Sequence, residues 1–351
     1  MTMRGHQVVR RLVELLAVLL LSSFLTFALT SLTPGDPTVA ILGKDRPQEQ
    51  YDELRRELGL DRPILEGYAS WLGDAVTGDL GTSLGPGREE VATRVAAALP
   101  VSLQLAAMAL VLALLLAVPL ALWSAAHPGG RVDRAATAAS YVAISTPPFL
   151  AALVLVLLFV QTWEVFPRLE WVRITSDEGL GENLRHAALP TVAVAMTIFP
   201  GFLQVLRSDL IETLQQDFIA AARARGRAPW RVLLGDALRP SSFSIITLVG
   251  VQMGQLVGAA VVVEALFTLP GLGTMIARAA LSGDVPLVQG GVLVIAVLYV
   301  LSNALIDVVY TWLDPRVRRG RRSGGGAGAG ATGTTDGSDA AAAPTPAGAA
   351  A

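Results

Sequence analysis

Six long apolar runs dominate the chain: Leu12 to Leu32, about Val101 to Ser124, Ala136 to Thr162, Ala187 to Leu206, Phe243 to Val263 and Leu287 to Trp312. Each is near or above the ~20 residues a helix needs to cross ~30 Å of hydrocarbon at ~1.5 Å per residue. None shows the alternation of a lipid-facing strand, and a bilayer-buried segment must satisfy its own backbone. The sequence therefore predicts an all-α polytopic membrane protein with six transmembrane helices. The 16% of charged residues and the 52% of hydrophobic ones agree with this, because a soluble domain carries roughly 25% charged residues.

Composition excludes several kinds of chemistry. The net charge of −2 offers no basic surface for nucleic acid. Without cysteine there are no disulfides, thiolate zinc sites or cysteine nucleophiles. His6, His127 and His186 are too scattered for a metal cluster. The one lysine, Lys44, is followed by Asp45 and has Thr38 where a phosphate-binding loop needs its first glycine. If ATP drives this protein, another subunit binds it.

The first run follows Arg4, Arg10 and Arg11, as a signal peptide would. It is longer than the ~7–15 residues of a signal core and no small-residue cleavage site follows, so a retained helix is the reading. With six alternating spans, Arg131, Arg134, Arg207, Arg223, Arg225, Arg227, Arg231, Arg239 and the arginines from Arg316 to Arg322 fall on the side of the N-terminus. That predicts both termini in the cytoplasm. The division is then a cytoplasmic N-terminus (1–11), helix 1 (12–32), an extracytoplasmic subdomain (33–100), and a transmembrane core (101–320) with a cytoplasmic loop at 207–241. The Gly/Ala-rich tail (321–351) has nothing to bury and is expected to be disordered.

The segment after the first run is too long for a simple connector. Pro47 to Leu58, rich in Glu and Arg, reads as a helix. Pro63 to Val76 reads as a second, with Leu65, Tyr68, Leu72 and Val76 at helical spacing and Trp71 alongside. Gly78, Gly81, Gly85 and Gly87 then break the pattern. This small helical subdomain is read equally as a cover over the bundle or as a dock for a soluble partner.

Residues 206 to 240 lie between runs four and five and are not apolar enough to span. They read as a helix, a glycine stop and a second helix. Asp217 opens an alanine-rich turn (Ala220, Ala221, Ala222, Ala224), and Arg223 and Arg225 sit where cations suit the helix dipole. Gly226 fits a left-handed cap, and Pro229 fits the first turn of the next helix. Trp230 and Val232 to Leu234 are expected to anchor that helix on the bundle. Composition alone favours a plain connector over a knob that enters another protein's groove.

This segment resembles the EAA-loop signature of ABC-importer permeases. Ala221-Ala222-Arg223-Ala224-Arg225-Gly226 is close to the peptide-transporter form, although Ala220 stands where the general pattern has Glu. Leu238-Arg239-Pro240 matches the hydrophobic-basic-proline ending, and Asp236 replaces a common His. Leu32-Thr33-Pro34-Gly35-Asp36-Pro37, Leu58 to Pro63, Tyr68 to Leu72, Gly78 to Ser83, Glu264 to Gly273, Asp284 to Gly290 and Asp307 to Arg316 resemble further elements of that family in order. The chain is thus similar to the dipeptide/oligopeptide (and nickel) ABC-importer permeases over roughly residues 8 to 320.

The resemblance implies a type I importer fold in the bacterial cytoplasmic membrane and a heterodimer with a second permease. It implies two ATPase subunits that bind ATP and Mg, and an extracytoplasmic binding protein. It makes Asp217, Phe218, Ala221, Ala222, Arg223, Arg225 and Gly226 the coupling contact to the ATPase. The cargo it implies is a di- or oligopeptide, with nickel, glutathione or haem as alternatives. No cofactor is expected on this chain.

Three smaller features remain. Pro119 and Pro147-Pro148 are expected to kink their helices, for packing rather than gating. Gly250, Gly254 and Gly258, with Gln252 and Gln255, form a small-residue face expected against the partner permease or the pore. Glu264, Phe267, Pro270, Gly271 and Gly273 are expected at the outer mouth, on the binding-protein side. An ion-coupled carrier is the rival, but the acids inside the runs are Glu14 and Asp307, both away from mid-membrane.

Overall fold

The computed structural model describes residues 3–32, 37–43, 46–57, 61–85, 87–167, 171–174 and 179–313. The chain divides at Val308, and the second unit lies almost wholly outside the described residues, as do the expected disordered tail and residues 33–36 of the Leu32–Pro37 motif. Among the described residues the regular structure is helical, apart from an isolated bridge between Thr82 and Glu90.

The chain begins with α1 (Met3–Ser31), α2 (Pro37–Leu42), α3 (Gln48–Glu57) and α4 (Ile64–Thr77). Pro63 precedes α4, and Gly78 at φ 96° ends it in the left-handed region. Next comes α5 (Val91–Ala126), which continues unbroken through Pro100 and Pro119. It begins ten residues ahead of the expected span, and its 36 residues reach about 54 Å, well beyond the hydrocarbon.

The third run is not one helix. α6 (Arg131–Ser145) and α7 (Pro148–Leu155), which continues through a π-helical turn (Val156–Thr162), meet at 107°. Each residue before a proline is driven out of the helical region. Thr146 and Pro147 both precede one, so both are extended, at ψ 117° and ψ 139°. A lone proline such as Pro119 gives no such double constraint.

α8 (Gly179–Leu214) is followed by α9 (Asp217–Ala224) and α10 (Pro229–Arg231). A π-helical turn (Val232–Ala237) leads into α11 (Leu238–Leu266), then α12 (Leu272–Ser282) and α13 (Val285–Leu313). The expected loop at 207–241 is therefore mostly continuous with the spans on either side. Among the described residues five helices are long and apolar enough to cross a membrane, and six spans result if the bent α6–α7 pair counts as one.

The core lies between α5 and α8, the most extensive pairing of elements. Leu105, Ala109, Ala113, Ala117 and Ala121 recur every fourth residue and are fully buried. Small side chains in that register let α8 come close, and Ile198, Phe202, Leu203 and Leu206 fill the seam. At one end of the seam Arg207 of α8 makes a bidentate pair with buried Asp133 of α6, at 2.5 and 2.8 Å. Asp133 also accepts from the Gly129 amide, fixing the α5–α6 turn.

Candidate functional site

The α9 helix is short, and it is held by two residues. Ile219 and Ala222, three apart and so on one face, are buried in the same core as Leu206, Leu210, Val232 and Ala237. Asp217, Phe218, Ala220, Ala221, Arg223, Ala224 and Arg225 are exposed. Ala222 thus belongs to the root of the element, while the other expected coupling residues face outward. Phe218, Ala221 and Arg225 line one edge at spacings of three and four. Phe218 leaves 45% of its surface uncovered.

The ends of α9 are stopped firmly. Asp217 stands in the first turn and Arg223 in the last, both complementing the helix dipole. The Gly226 amide donates to the Arg223 carbonyl and the Arg227 amide to the Ala222 carbonyl, at 2.9 and 3.4 Å. That is a Schellman pair, and it requires the left-handed φ of 75° found at Gly226. Arg227 then pairs with Asp236 on the following π-helical turn, and the Thr213 and Ser241 hydroxyls join α8 to α11 at 3.1 Å. The expected anchors divide: Val232 is buried in the core, whereas Trp230 and Leu234 are exposed beside α9.

The glycine stripe of α11 also divides. A Cβ on Gly250 would stand 3.1 Å from Ile306, so this glycine seats α13 of the same chain, not a partner. Gln252 is buried and donates to the Ile198 carbonyl of α8 at 3.4 Å. Gly258 faces open space and lines a groove of about 330 Å³ with Pro148, Phe149, Thr197, Ala259 and Val262. The groove sits at the break between α6 and α7. Gly254 and Gln255 lie on α11, with side chains outside the described residues.

The residues expected on the binding-protein side are mostly interior. Glu264 is 1% exposed, Phe267, Gly271 and Gly273 are buried, and of the five only Pro270 is exposed. Glu264 acts instead as a remote cap for α12. Its carboxylate accepts from the Gly273 and Thr274 amides at 2.8 and 3.2 Å and from the Ser102 hydroxyl of α5 at 2.6 Å. Ser102 in turn accepts from the Leu272 amide at 2.8 Å. The first three free amides of α12 are thereby satisfied by side chains from two spans. The glycines make room for this: a Cβ on Gly271 would stand 2.4 Å from the Glu264 carboxyl, and one on Gly273 would stand 2.5 Å from the Val261 backbone.

A second buried acid repeats the device. Asp284 accepts from the Ser83 hydroxyl at 2.5 Å, from the Leu84 amide at 3.1 Å and from the Leu287 amide of α13 at 3.3 Å. Arg94 of α5 donates to Ser83 at 3.0 Å. Two sequence elements about 200 residues apart, Gly78 to Ser83 and Asp284 to Gly290, are joined by this one carboxylate. Sequence reasoning missed Ser102, Asp133, Arg207 and the alanine register of α5. Only the last had a visible signal, small residues every fourth position, as in α11.

Comparison with known proteins bears on the whole chain. A family model described as "Binding-protein-dependent transport system inner membrane component" matches residues 117–319, and its N-terminal counterpart matches residues 5–106. This chain belongs to that family. The permease is 33% identical over 310 residues to a protein named as a peptide permease of Brucella suis, covering 88% of this chain and 97% of that one. It is 30% identical over 314 residues to a peptide ABC transporter permease of Sinorhizobium fredii, covering 90% and 99%. It is also 30% identical over 310 residues to the oligopeptide transport system permease AppB of Bacillus subtilis, covering 88% and 98%. It is therefore a multi-pass membrane component of a binding-protein-dependent ABC importer.

Proposed function

We propose that this permease carries di- or oligopeptides inward as half of a heterodimeric pore, and that α9 is its coupling contact with an ATPase subunit. ATP and Mg are bound by two such ATPases, a second permease completes the pore, and an extracytoplasmic protein delivers the peptide. Both termini and α9 lie in the cytoplasm, as the arginine distribution supports.

One observation carries the coupling role: α9 is fixed by a buried root of two residues and a glycine cap, yet presents Phe218, Ala221 and Arg225 to the outside. A lever must be stiff at its root and sticky at its tip. ATP-driven closure of the ATPases would move that tip, and α8 and α11, joined to it at Ile219, Ala222 and the Thr213–Ser241 contact, would follow as rigid bodies. The groove at Gly258 is part of the peptide path, and the exposed turn at Pro270 faces the binding protein. The names of the relatives support a peptide cargo.

The test is uptake of a labelled peptide into vesicles holding the assembled transporter. Ala221→Trp overfills the exposed edge. Gly226→Pro cannot adopt the left-handed φ or donate to Arg223. Both are expected to abolish ATP-driven uptake while the permease still inserts in the membrane; normal uptake in both would overturn the coupling role.

A further inference from the structure

The α6 helix is held on the bundle by little apolar surface. Its buried residues are Asp133, Ala136 and Ser140, three and four apart and so on one stripe. Val132, Tyr141, Val142 and Ile144 are exposed. The Ser140 hydroxyl is used within its own helix, donating to the Ala136 carbonyl at 3.0 Å. Small side chains such as Ala136 and Ser140 let helices approach closely. They offer little to interlock, so they do not by themselves fix how α6 is set against its neighbour.

The ion pair with α8 does fix it. Both Asp133 oxygens are engaged by Arg207, one by Nε at 2.5 Å and the other by an Nη at 2.8 Å. The second oxygen also accepts from the Gly129 amide at 2.8 Å. A planar fork on a planar carboxylate is directional, so sliding or rotating α6 breaks both bonds together. Asp133 is 4% exposed. An opened pair would leave a buried charge without its counter-ion, which is strongly unfavourable.

The pair also stands between the coupling element and the groove. Arg207 follows Leu206 and precedes Leu210 by three residues, and both leucines belong to the core that buries Ile219 and Ala222, the root of α9. Seven residues, about 10 Å of helix, separate Arg207 from the end of α8. In the other direction α6 ends at the extended Thr146 and Pro147, and α7 then opens with Pro148 and Phe149, which line the groove beside Gly258.

We propose that Asp133 and Arg207 are the positioning pair that makes α6 travel with α8, carrying the stroke of α9 into the third span and so to the groove wall at Pro148 and Phe149. The inference rests on α9 as the coupling contact. The pair stays closed throughout the transport cycle. Movement is taken up instead at residues 146–147, where two extended residues interrupt the helix.

The chain has no cysteine, so spin labels on Val142→Cys of α6 and Ser208→Cys of α8, both exposed, read the distance between these helices without background. The full transporter, reconstituted in vesicles, would be measured without nucleotide and trapped with ATP and vanadate. Labelled-peptide uptake and ATP hydrolysis would be read on the same samples. The distance is expected to be the same in both states. A change of several ångströms on trapping would overturn the proposal, because the pair would then be opening. Asp133→Asn is expected to broaden and shift the trapped distance and to lower the peptide taken up per ATP hydrolysed severalfold, with Arg207→Lys, which keeps the charge and loses the fork, in between. A purely structural pair would lower uptake and hydrolysis together; an unchanged ratio in both variants would overturn the proposal. If Asp133→Asn does not assemble, the parent distance and the Arg207→Lys ratio decide. Normal uptake in Ala221→Trp and Gly226→Pro would strike the coupling role itself. Uptake abolished in those two, with an unchanged ratio in Asp133→Asn and Arg207→Lys, would strike this inference alone.

Discussion

Two of the short helices between spans, α9 and α12, differ in almost every physical respect. α9 is rooted by two side chains, capped by its own backbone, and exposes the rest. α12 is sunk between α5 and α11, and its N-terminal amides are held by Ser102 and Glu264 from those spans. Each depends on a glycine, for opposite reasons. Gly226 is needed for a backbone conformation, with nothing within 4 Å of where its Cβ would be; Gly273 is needed for space, at an ordinary backbone conformation. α9, proposed to meet another protein, keeps its hydrogen bonds local and its face free. An element that holds spans in register spreads its hydrogen bonds across them.

The sharpest way to break this contrast is to fill the space at α12. Gly273→Val drives a branched side chain into the Val261 backbone, and overpacking of this kind costs about 3 kcal/mol or more. Little assembled permease is expected in detergent-solubilised membranes, measured as the co-purifying fraction. Glu264→Ala comes next. It leaves two buried amides and a hydroxyl without an acceptor, for a loss of about 2–3 kcal/mol, read as a drop in the thermal melting point of the purified transporter. Glu264→Gln keeps one acceptor oxygen and should fall between this variant and the parent.

Smaller effects belong to α9. Gly226→Ala strains a left-handed position by about 1–2 kcal/mol. On the proposed coupling role its melting point should fall only slightly while uptake falls more steeply, because the cap would set the angle of α9. Arg227→Ala removes a half-exposed ion pair with Asp236, worth about 0.5 kcal/mol in stability. It should leave the melting point nearly unchanged, and any loss in uptake measures how far that pair stiffens the turn after α9. The comparison fails if Gly226→Ala unfolds the permease or if Glu264→Ala melts like the parent.

Much of this was legible in the sequence because it depends on neighbours along the chain. Spans follow from apolar length. The start and stop of α4 and α9 follow from Pro63, Gly78, Asp217 and Gly226, whose preferences act within a turn. The double proline at 147–148 announced a bend, and consecutive pre-proline residues made it a break. Helix ends were less legible: α5 and α8 outrun the bilayer by several turns, because a helix that leaves the membrane continues as long as something packs on it.

The site residues show the same divide. The outward face of α9 could be placed once Ile219 and Ala222 were known to point inward, and periodicity within one short helix leaves that choice open. Glu264 and Asp284 were visible as acids near span ends, where exposure to water is the natural expectation. That each is buried, and which amides each holds, depends on Ser102 and Ser83, which are 162 and 201 residues away in the chain.

The sequence by itself determined the class of the protein, its six apolar runs, the capped helix between the fourth and fifth, and the family to which those motifs belong, since each is a matter of local hydrophobicity, backbone preference or residue order. Tertiary structure alone decided which glycines separate helices, which acids are caps, and that Gly250 serves this chain's own α13. It also decided that α4 packs on α1 through Gly67, Tyr68 and Trp71. Those outcomes depend on which atoms approach across the bundle, and no residue carries that information in its immediate neighbours.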